Sequence, residues 1–474
     1  MSHSSEAVLP DGPEKRSFPR RSPKTLLTDA PLNRAIFTFC IPLIISNLVQ
    51  VLFNMADQIV LGQMAGSTAV ASVGACSNSI YVVISTLQGL SVGVTILLTR
   101  ALGAEDHEQS RRIINTSILT AVGVGLLGTA IGIPLASPLL RATGCPENVF
   151  DGAMIYITIY FASASVIILY NFSAAILRST GDSTRPSIYL ILAGALNVIL
   201  NVILCLILPE KVAAVAIATL VSQAFGAFLT IRRLCVIRED YRLDLRHLSF
   251  DARILRKLLR YGIPSAVNSA VYPLANLLIQ TNVNSFSPIL GTATAGYSAG
   301  ASLNGINSAI SIGFNQTTGA IVGQNIGAEK PQRVHRSIFL CMLYGTLICL
   351  AVSAVLFLFR RQILRLYLPD SEEAIEYGVI YMKNLTLFFF LPVLNNVLGS
   401  ALNAYGYSLF NGLCSLIATI GFRPLYIYTI FRWYPTFDVL LRSFPISWAL
   451  LLAVHAVVFA VVHIRYLHGK VRRL

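Results

Sequence analysis

Gly103-Ala104-Glu105 recurs in this 474-residue sequence as Gly327-Ala328-Glu329, a separation of 224 residues. Two further matches lie at separations of 222 and 225 residues: Ile41-Pro42 with Ile263-Pro264, and Leu177 and Gly181 with Leu402 and Gly406. Because three matches share nearly one offset over a long stretch of chain, we interpret the sequence as two repeated halves. Repeated halves are a common way to build transporters.

The composition indicates a membrane protein. Hydrophobic residues make up 55% of the chain and charged residues 12%, whereas a soluble protein carries about a quarter charged residues. Twelve apolar stretches, six in each half, are long enough to cross about 30 Å of hydrocarbon. An even number per half starts both halves on the same side. We therefore predict an all-α membrane protein of twelve transmembrane helices in two pseudo-symmetric six-helix lobes, related as parallel repeats around a central cavity.

Lys and Arg predict the orientation of the chain. The tails and the loops after even-numbered spans hold 27 of them, and the opposite loops hold 7. Since positive loops stay in the cytoplasm, we expect both termini to be cytoplasmic, in the plasma (inner) membrane of a bacterium. The predicted parts are a flexible tail 1–34, an N-lobe 35–236, a cytoplasmic linker 237–260 with a short interfacial helix near 250–259, a C-lobe 261–464 and a basic tail 465–474.

The formal net charge of +14 follows from this topology and favours contact with anionic lipid headgroups. The basic residues are divided among loops, and no aromatic-interleaved basic domain is present, so we expect no nucleic-acid partner. The expected partners are the lipid bilayer and small-molecule substrates.

Polar residues inside the spans carry the functional signal, because each is unfavourable in lipid unless it is paired or lines water. Four residues of span 1 follow the spacing i, i+3, i+7 and i+10 and share one helical face: Asn47, Gln50, Asn54 and Asp57. Asp57 is the only acidic residue well inside a span, and its ionised form there costs roughly 2.5 to 3.5 kcal/mol. Binding a proton or a cation relieves that cost. The alternative is a helix-end Asp at the outer interface.

Span 5 adds two amides, Asn197 and Asn201, at i and i+4 on one face. Amide oxygens suit a hard cation and also accept a hydrogen bond from a protonated carboxyl. Asn201 and Thr219 of span 6 lie roughly 10 Å below the outer ends of their spans, and Asp57 is slightly shallower. A shared cation site, with Na⁺ at Asp57, Asn197 and Asn201, is one interpretation. The alternative is that the two Asn residues only join helices.

Three segments resemble the multidrug and toxic compound extrusion (MATE) family, in its bacterial form: Phe53-Asn54-Met55-Ala56-Asp57-Gln58-Ile59-Val60-Leu61-Gly62, Leu177-Arg178-Ser179-Thr180-Gly181-Asp182-Ser183-Thr184-Arg185-Pro186 and Val322-Gly323-Gln324-Asn325-Ile326-Gly327-Ala328. The resemblance runs from about residue 35 to residue 465. It implies two six-helix lobes and export of drugs or toxic metabolites in exchange for inward H⁺ or Na⁺. It also implies that four residues match the family's N-lobe cation site: Asp57, Asn197, Asn201 and Thr219.

The sequence departs from parts of that family. Certain members carry acidic residues on the helices equivalent to spans 7 and 10, where this chain has Tyr272 and the stretch 392–396. We therefore expect no cation site in the C-lobe. Phe53 stands where some relatives have Tyr, so one hydroxyl ligand is missing.

Amides and one tyrosine form the predicted substrate wall, since they hydrogen-bond varied ligands without demanding a charge. The predicted wall consists of Asn47, Gln50, Asn54, Asn268, Tyr272, Asn276, Gln280, Asn304 and Asn396. For each amide, joining two helices is the alternative role. Arg423 inside span 11 needs a partner such as a carbonyl or a tyrosine, and structural and gating roles both stay open. Three prolines inside spans are candidate hinges: Pro273, Pro392 and Pro424.

The predicted function is a monomeric secondary antiporter that exports drugs or toxic organic compounds, often cationic, by alternating access in exchange for H⁺ or Na⁺. The alternative within the same superfamily is a flippase for lipid-linked oligosaccharides, which needs a strongly cationic cavity. Only Lys383 and Arg423 are basic within the spans, and this disfavours the flippase. No Walker A sequence, HExxH motif or cluster of acidic, His or Cys residues predicts an enzyme. We expect no cofactor, and no metal other than the coupling ion.

Overall fold

The computed structural model describes residues 27–142, 145, 147–237, 239, 241–286, 291–368 and 371–467. It describes only the backbone at residues 54–59, 62, 65–71, 74, 75, 77–79, 142, 148, 277, 284, 367 and 467. Most of the predicted terminal tails, residues 1–26 and 468–474, therefore lies outside the described residues. So do the side chains of Asn54 and Asp57.

The described part of the chain consists of helices and their connections, without a strand. Its sixteen α-helices are α1 (Leu32–Leu90), α2 (Val92–Gly103), α3 (His107–Ala142), α4 (Glu147–Ala162), α5 (Ala164–Ser179), α6 (Thr184–Ile207), α7 (Lys211–Val236), α8 (Ala252–Asn284), α9 (Thr292–Gly327), α10 (Pro331–Leu358), α11 (Arg360–Tyr367), α12 (Glu372–Leu385), α13 (Phe390–Ala404), α14 (Ser408–Leu416), α15 (Phe422–Tyr426) and α16 (Phe437–Leu467).

Among the described residues, eight helical segments are long and apolar enough to cross a membrane, and two bent pairs, α4 with α5 and α12 with α13, bring the number to ten. Helices α8 and α9, with 33 and 36 residues, complete twelve spans. Their many amide and hydroxyl side chains lower their hydropathy. The predicted fold class, two six-helix lobes, is confirmed.

Helix α1 supplies two of the twelve spans. Gln50 and Gln88 lie towards opposite ends of its helical segment and line the same cavity. A straight helix would hold residues 38 positions apart at a distance of about 57 Å. The chain therefore doubles back between them, so spans 1 and 2 both face the centre of the protein.

The backbone reproduces the sequence repeat. Glu105 and Glu329 have φ of 57° and 54°, and they are the two non-glycine residues with positive φ in the part that the structure describes. Gly181 and Gly406 have φ of 93° and 84°. Because positive φ is uncommon outside glycine, two matching pairs of left-handed turns show that the halves share one backbone path.

The two bent spans also correspond. The bend between α4 and α5 is 46° and the bend between α12 and α13 is 43°. Pro392 lies just after the second bend, but the first occurs at Ser163 with no proline nearby. The repeat therefore fixes the bend, and proline alone does not account for it. Around Pro424 the helix widens into two π-helical segments, Ile417–Gly421 and Ile427–Phe431, whereas α8 remains helical through Pro273.

Two element boundaries differ from the sequence-based expectation. The predicted interfacial helix near 250–259 is the first part of α8, because Asp251 caps that helix by accepting hydrogen bonds from the backbone N–H groups of Arg253 and Ile254. At the N-terminus, Leu27 is fully buried. Its carbonyl accepts hydrogen bonds from Asn325 (3.0 Å) and Arg333 (3.2 Å), so packed structure begins before residue 35.

Candidate functional site

A central cavity of about 340 Å³ lies between the lobes and is lined by helices from both. Three residues of the predicted substrate wall line it: Asn47, Gln50 and Asn396. The sequence analysis missed further polar lining residues, which are Gln88, Asn171, Arg178, Asn315, Gln316 and Asn403. Gln88 and Asn315 carry the same signal, an amide inside an apolar span, and could have been found with it.

Arg178 is the single charged residue among the described residues that line the central cavity, and none of them is acidic. It lies in the last turn of α5, where the sequence analysis assigned it to a loop. Asn403, its equivalent in the second half by the 225-residue offset, lines the same end of the cavity.

Five residues of the predicted substrate wall do not line the central cavity: Asn268, Tyr272, Asn276, Gln280 and Asn304. Two of them are used between side chains. Asn276 accepts a hydrogen bond from Arg423 (2.9 Å), and Asn304 accepts one from Asn307 (3.3 Å). Tyr272 packs beside the cluster of Cys414, Ala418 and Leu451. This geometry favours the helix-joining alternative for Asn276 and Asn304.

Arg423 is almost fully buried, at 1% exposure. Besides Asn276, its guanidinium donates to the Ser447 hydroxyl (3.3 Å) and lies 4.4 Å from the centre of the Phe444 ring. These contacts join α15 to α8 and α16, and they support a structural role.

The predicted N-lobe cation-site residues on α6 and α7 are adjacent. The Asn197 amide donates to the Thr219 hydroxyl (3.3 Å), and the Asn201 amide donates to the Asn197 side-chain oxygen (3.5 Å). Asn197 and Asn201 are 6% and 0% exposed. Asp57 belongs to α1, and its side chain lies outside the described residues. The chain thus brings three of the four predicted residues into one buried polar cluster.

A second cavity, of about 80 Å³, lies beside this cluster and is lined by Asn197 and Thr219. It shares three lining residues with the central cavity: Ser46, Gln50 and Leu190. Only one layer of side chains therefore separates the polar cluster from the central cavity. Phe53 lines the small cavity and packs directly on Gly194, where a Cβ atom would lie 2.1 Å from the Phe53 ring.

Beyond the central cavity, two hydrogen bonds join the lobes in a reciprocal pair. Arg100 donates through Nε (3.0 Å), and also through a terminal nitrogen, to the Ala404 carbonyl. Gln324 donates to the Ser179 carbonyl at 2.6 Å. Gln324 is equivalent to Arg100, and Ala404 to Ser179, by the offsets of 224 and 225 residues. Each lobe thus supplies one donor and one acceptor.

The repeated glycines explain how the lobes approach so closely. A Cβ atom at Gly103 would lie 2.0 Å from the Gln324 carbonyl oxygen, and one at Gly327 would lie 2.1 Å from the Arg100 carbonyl oxygen. We name these two contacts, with the two hydrogen bonds, the reciprocal latch. It lies at the ends of α2, α5, α9 and α13, beyond their cavity-lining residues. It closes the cavity towards the face that carries the 237–251 connection, which we name the basic face.

Two repeated helical lobes that enclose a cavity between them, with one end closed, define a membrane transporter. The MatE family model matches residues 42–203 and 264–429, one segment in each lobe. The chain belongs to the MatE family. It is an integral membrane transporter and not an enzyme, as the sequence predicts.

Relatives and solved structures agree with this assignment. The chain is 26% identical over 401 residues to the "Probable multidrug resistance protein YoeA" of Bacillus subtilis, covering 82% of this chain and 84% of that protein. It is 24% identical over 403 residues to the FAD transporter of Shewanella oneidensis, with 82% and 87% covered. A crystal structure of MATE in complex with MaL6 matches with a TM-score of 0.85 at 23% identity, covering 95% of this chain and 100% of that one. A MOP superfamily transporter from Pyrococcus furiosus matches with a TM-score of 0.84 at 23% identity, with 93% and 97% covered.

Proposed function

We propose that this protein exports drugs or toxic organic compounds by alternating access, in exchange for inward H⁺ or Na⁺. The observation that carries the proposal is the wall shared by the two cavities, because Ser46, Gln50 and Leu190 line both. A cation bound beside Asn197 and Thr219 would change side chains that also touch a substrate. Such a shared wall gives the differential contact that coupling requires. Several relatives are named multidrug resistance proteins.

In this proposal the basic face is cytoplasmic and both termini lie there, in the plasma membrane of a bacterium, and the protein works as a monomer. The reciprocal latch then closes the cytoplasmic end of the cavity. Loading substrate from the cytoplasm requires that both interlobe hydrogen bonds break. A flippase for lipid-linked oligosaccharides fits the cavity less well, because its described lining offers a single cation for the phosphate groups.

Arg178 favours a second substrate class, compounds with a carboxylate or phosphate group. The described cavity lining contains a guanidinium and many amides but no acidic residue, so it suits a neutral or anionic group better than an isolated cation. The FAD transporter among the relatives is named for a compound that carries a diphosphate. A substrate of this class would place its anionic group at the Arg178 end of the cavity.

Proteoliposomes with separately imposed pH and Na⁺ gradients test the coupling. We expect one of the two gradients to drive substrate uphill, and the same gradient to collapse faster when substrate is present. Vesicles without protein and vesicles with Asp57→Asn serve as controls. Substrate that equilibrates but never accumulates under either gradient would contradict cation exchange.

Substitution at Arg178 tests the substrate class. Arg178→Gln is expected to weaken binding of anionic substrates about 10- to 150-fold, since a hydrogen bond to a charged group contributes roughly 1.5 to 3 kcal/mol. Binding of a cationic dye should change little. Arg178→Lys keeps the charge and should restore part of the affinity. Equal loss of anionic and cationic ligands in Arg178→Gln would instead assign Arg178 to packing.

A further inference from the structure

We propose that a pocket at the start of α8 binds the headgroup of an anionic phospholipid in the membrane leaflet at the basic face. This α8 pocket has a volume of about 730 Å³ and lies between the first turns of α8 and the turn that joins α13 to α14. Its lining includes Arg256, Arg260, Tyr261, Tyr405 and Tyr407. The proposal requires only that the protein lies in a membrane, and it does not depend on what the protein exports.

The charge of the α8 pocket is positive and uncompensated. Arg256 and Arg260 are both exposed and stand one helical turn apart. Neither forms an ion pair with a residue in the described ranges, and no described residue of the lining is acidic. Two guanidinium groups with free donors suit a phosphate, which they can bind through paired hydrogen bonds.

The apolar part of the α8 pocket points to a lipid rather than to a soluble anion. Ile263, Leu409 and Phe410 line the pocket and are 52%, 58% and 51% exposed. On a membrane-spanning helix, such large exposed side chains lie against acyl chains. Arg256 and Arg260 precede Ile263 on α8, towards the basic face, and so reach headgroup depth. Basic pockets at this depth typically hold anionic lipid headgroups.

The repeat supplies an internal comparison. By the 222- and 225-residue offsets, Arg260 corresponds to Thr38, Tyr407 to Asp182 and Phe410 to Arg185. Asp182 and Arg185 form an ion pair at 2.6 Å. The N-lobe position therefore pairs its charge internally, whereas the C-lobe position replaces that pair with aromatic residues and adds an arginine. The two lobes share one backbone, and only the C-lobe side chains leave positive charge open to a ligand.

The α8 pocket also adjoins the reciprocal latch. Tyr405 and Gly406 line it and directly follow Ala404, whose carbonyl accepts the hydrogen bonds from Arg100. A bound headgroup would brace the turn that carries this acceptor. The lipid is therefore expected to favour the latched arrangement of the lobes.

The test is equilibrium binding of a fluorescent phosphatidylglycerol to the detergent-purified full-length protein. R256Q/R260Q should bind it about thirtyfold more weakly, since each arginine near a membrane surface contributes about 1 kcal/mol. The matched control, R253Q/K257Q, removes the same charge from the same helix outside the pocket and should stay within about threefold of the wild type. Tyr407→Asp adds the carboxylate of the N-lobe position and should also weaken binding, even if R256Q/R260Q does not fold.

Three results would overturn the proposal. Equal losses in R256Q/R260Q and R253Q/K257Q would show a diffuse charge effect, and unchanged binding in Tyr407→Asp would place the lipid elsewhere. Displacement of the probe by inorganic phosphate at the concentration at which unlabelled phosphatidylglycerol displaces it would show a site for free anions. Weak competition by phosphate and by phosphatidylcholine is the expected result.

Discussion

Replacing Gly103 or Gly327 by alanine is expected to prevent the reciprocal latch from closing and to reduce export strongly. The added Cβ would lie 2.0 or 2.1 Å from a carbonyl oxygen of the other lobe, so the helices must separate. Overpacking costs roughly 1 to 3 kcal/mol, which disfavours the latched state about 5- to 150-fold. Because the obstacle is backbone and not a flexible side chain, we expect the upper end of that range.

The measurements are export from proteoliposomes and labelling of a cysteine at position 403 by an impermeant thiol reagent, in a background without the eight native cysteines. Labelling from the basic face should rise in both glycine variants. Gly123→Ala is the matched control, since a Cβ there meets nothing within 4 Å, and it should export normally. Normal export by Gly103→Ala with unchanged labelling would show that the latch does not govern access.

Asp57→Asn is expected to abolish gradient-driven export while the protein still folds and inserts. The amide keeps the shape of the carboxyl group but cannot gain and lose charge, so it cannot exchange a proton or balance a bound cation. Drug accumulation in cells that express the variant at the wild-type level measures the effect. Wild-type resistance in those cells would disprove a coupling role for Asp57.

The companion variants Asn197→Ala and Asn201→Ala separate coupling from substrate binding. Both should weaken the dependence of export on the cation more than they weaken equilibrium binding of the drug, because the two amides lie in the small polar cluster. Loss of drug affinity with unchanged cation dependence would assign these residues to the substrate wall.

The two-lobed fold could be predicted from the sequence because its signals are local or repeated. Apolar length marks a span in any surroundings, and the glycines at 181 and 406 mark turns that need positive φ. The cluster of Asn197, Asn201 and Thr219 could also be predicted, since i and i+4 share a helical face and adjacent spans 5 and 6 place Thr219 at the same depth.

The substrate wall was predicted less well for a geometrical reason. Asn268, Tyr272, Asn276 and Gln280 advance four residues at a time, and each step turns about 40° around a helix of 3.6 residues per turn. The first and the last therefore differ by about 120° and cannot all face one cavity. Arg178 was assigned to a loop because its distance from the cavity depends on where α5 ends, and hydropathy does not fix that end.

The reciprocal latch has a consequence for how abruptly the basic face can open. Its two hydrogen bonds act as a bivalent clamp, in which the unbroken bond holds the partners of the broken one at a high effective concentration. Thermal loss of either bond alone is therefore soon reversed, and partly open forms are short-lived. Only a rotation that separates both pairs together releases the lobes, so access at this face changes as a single cooperative step.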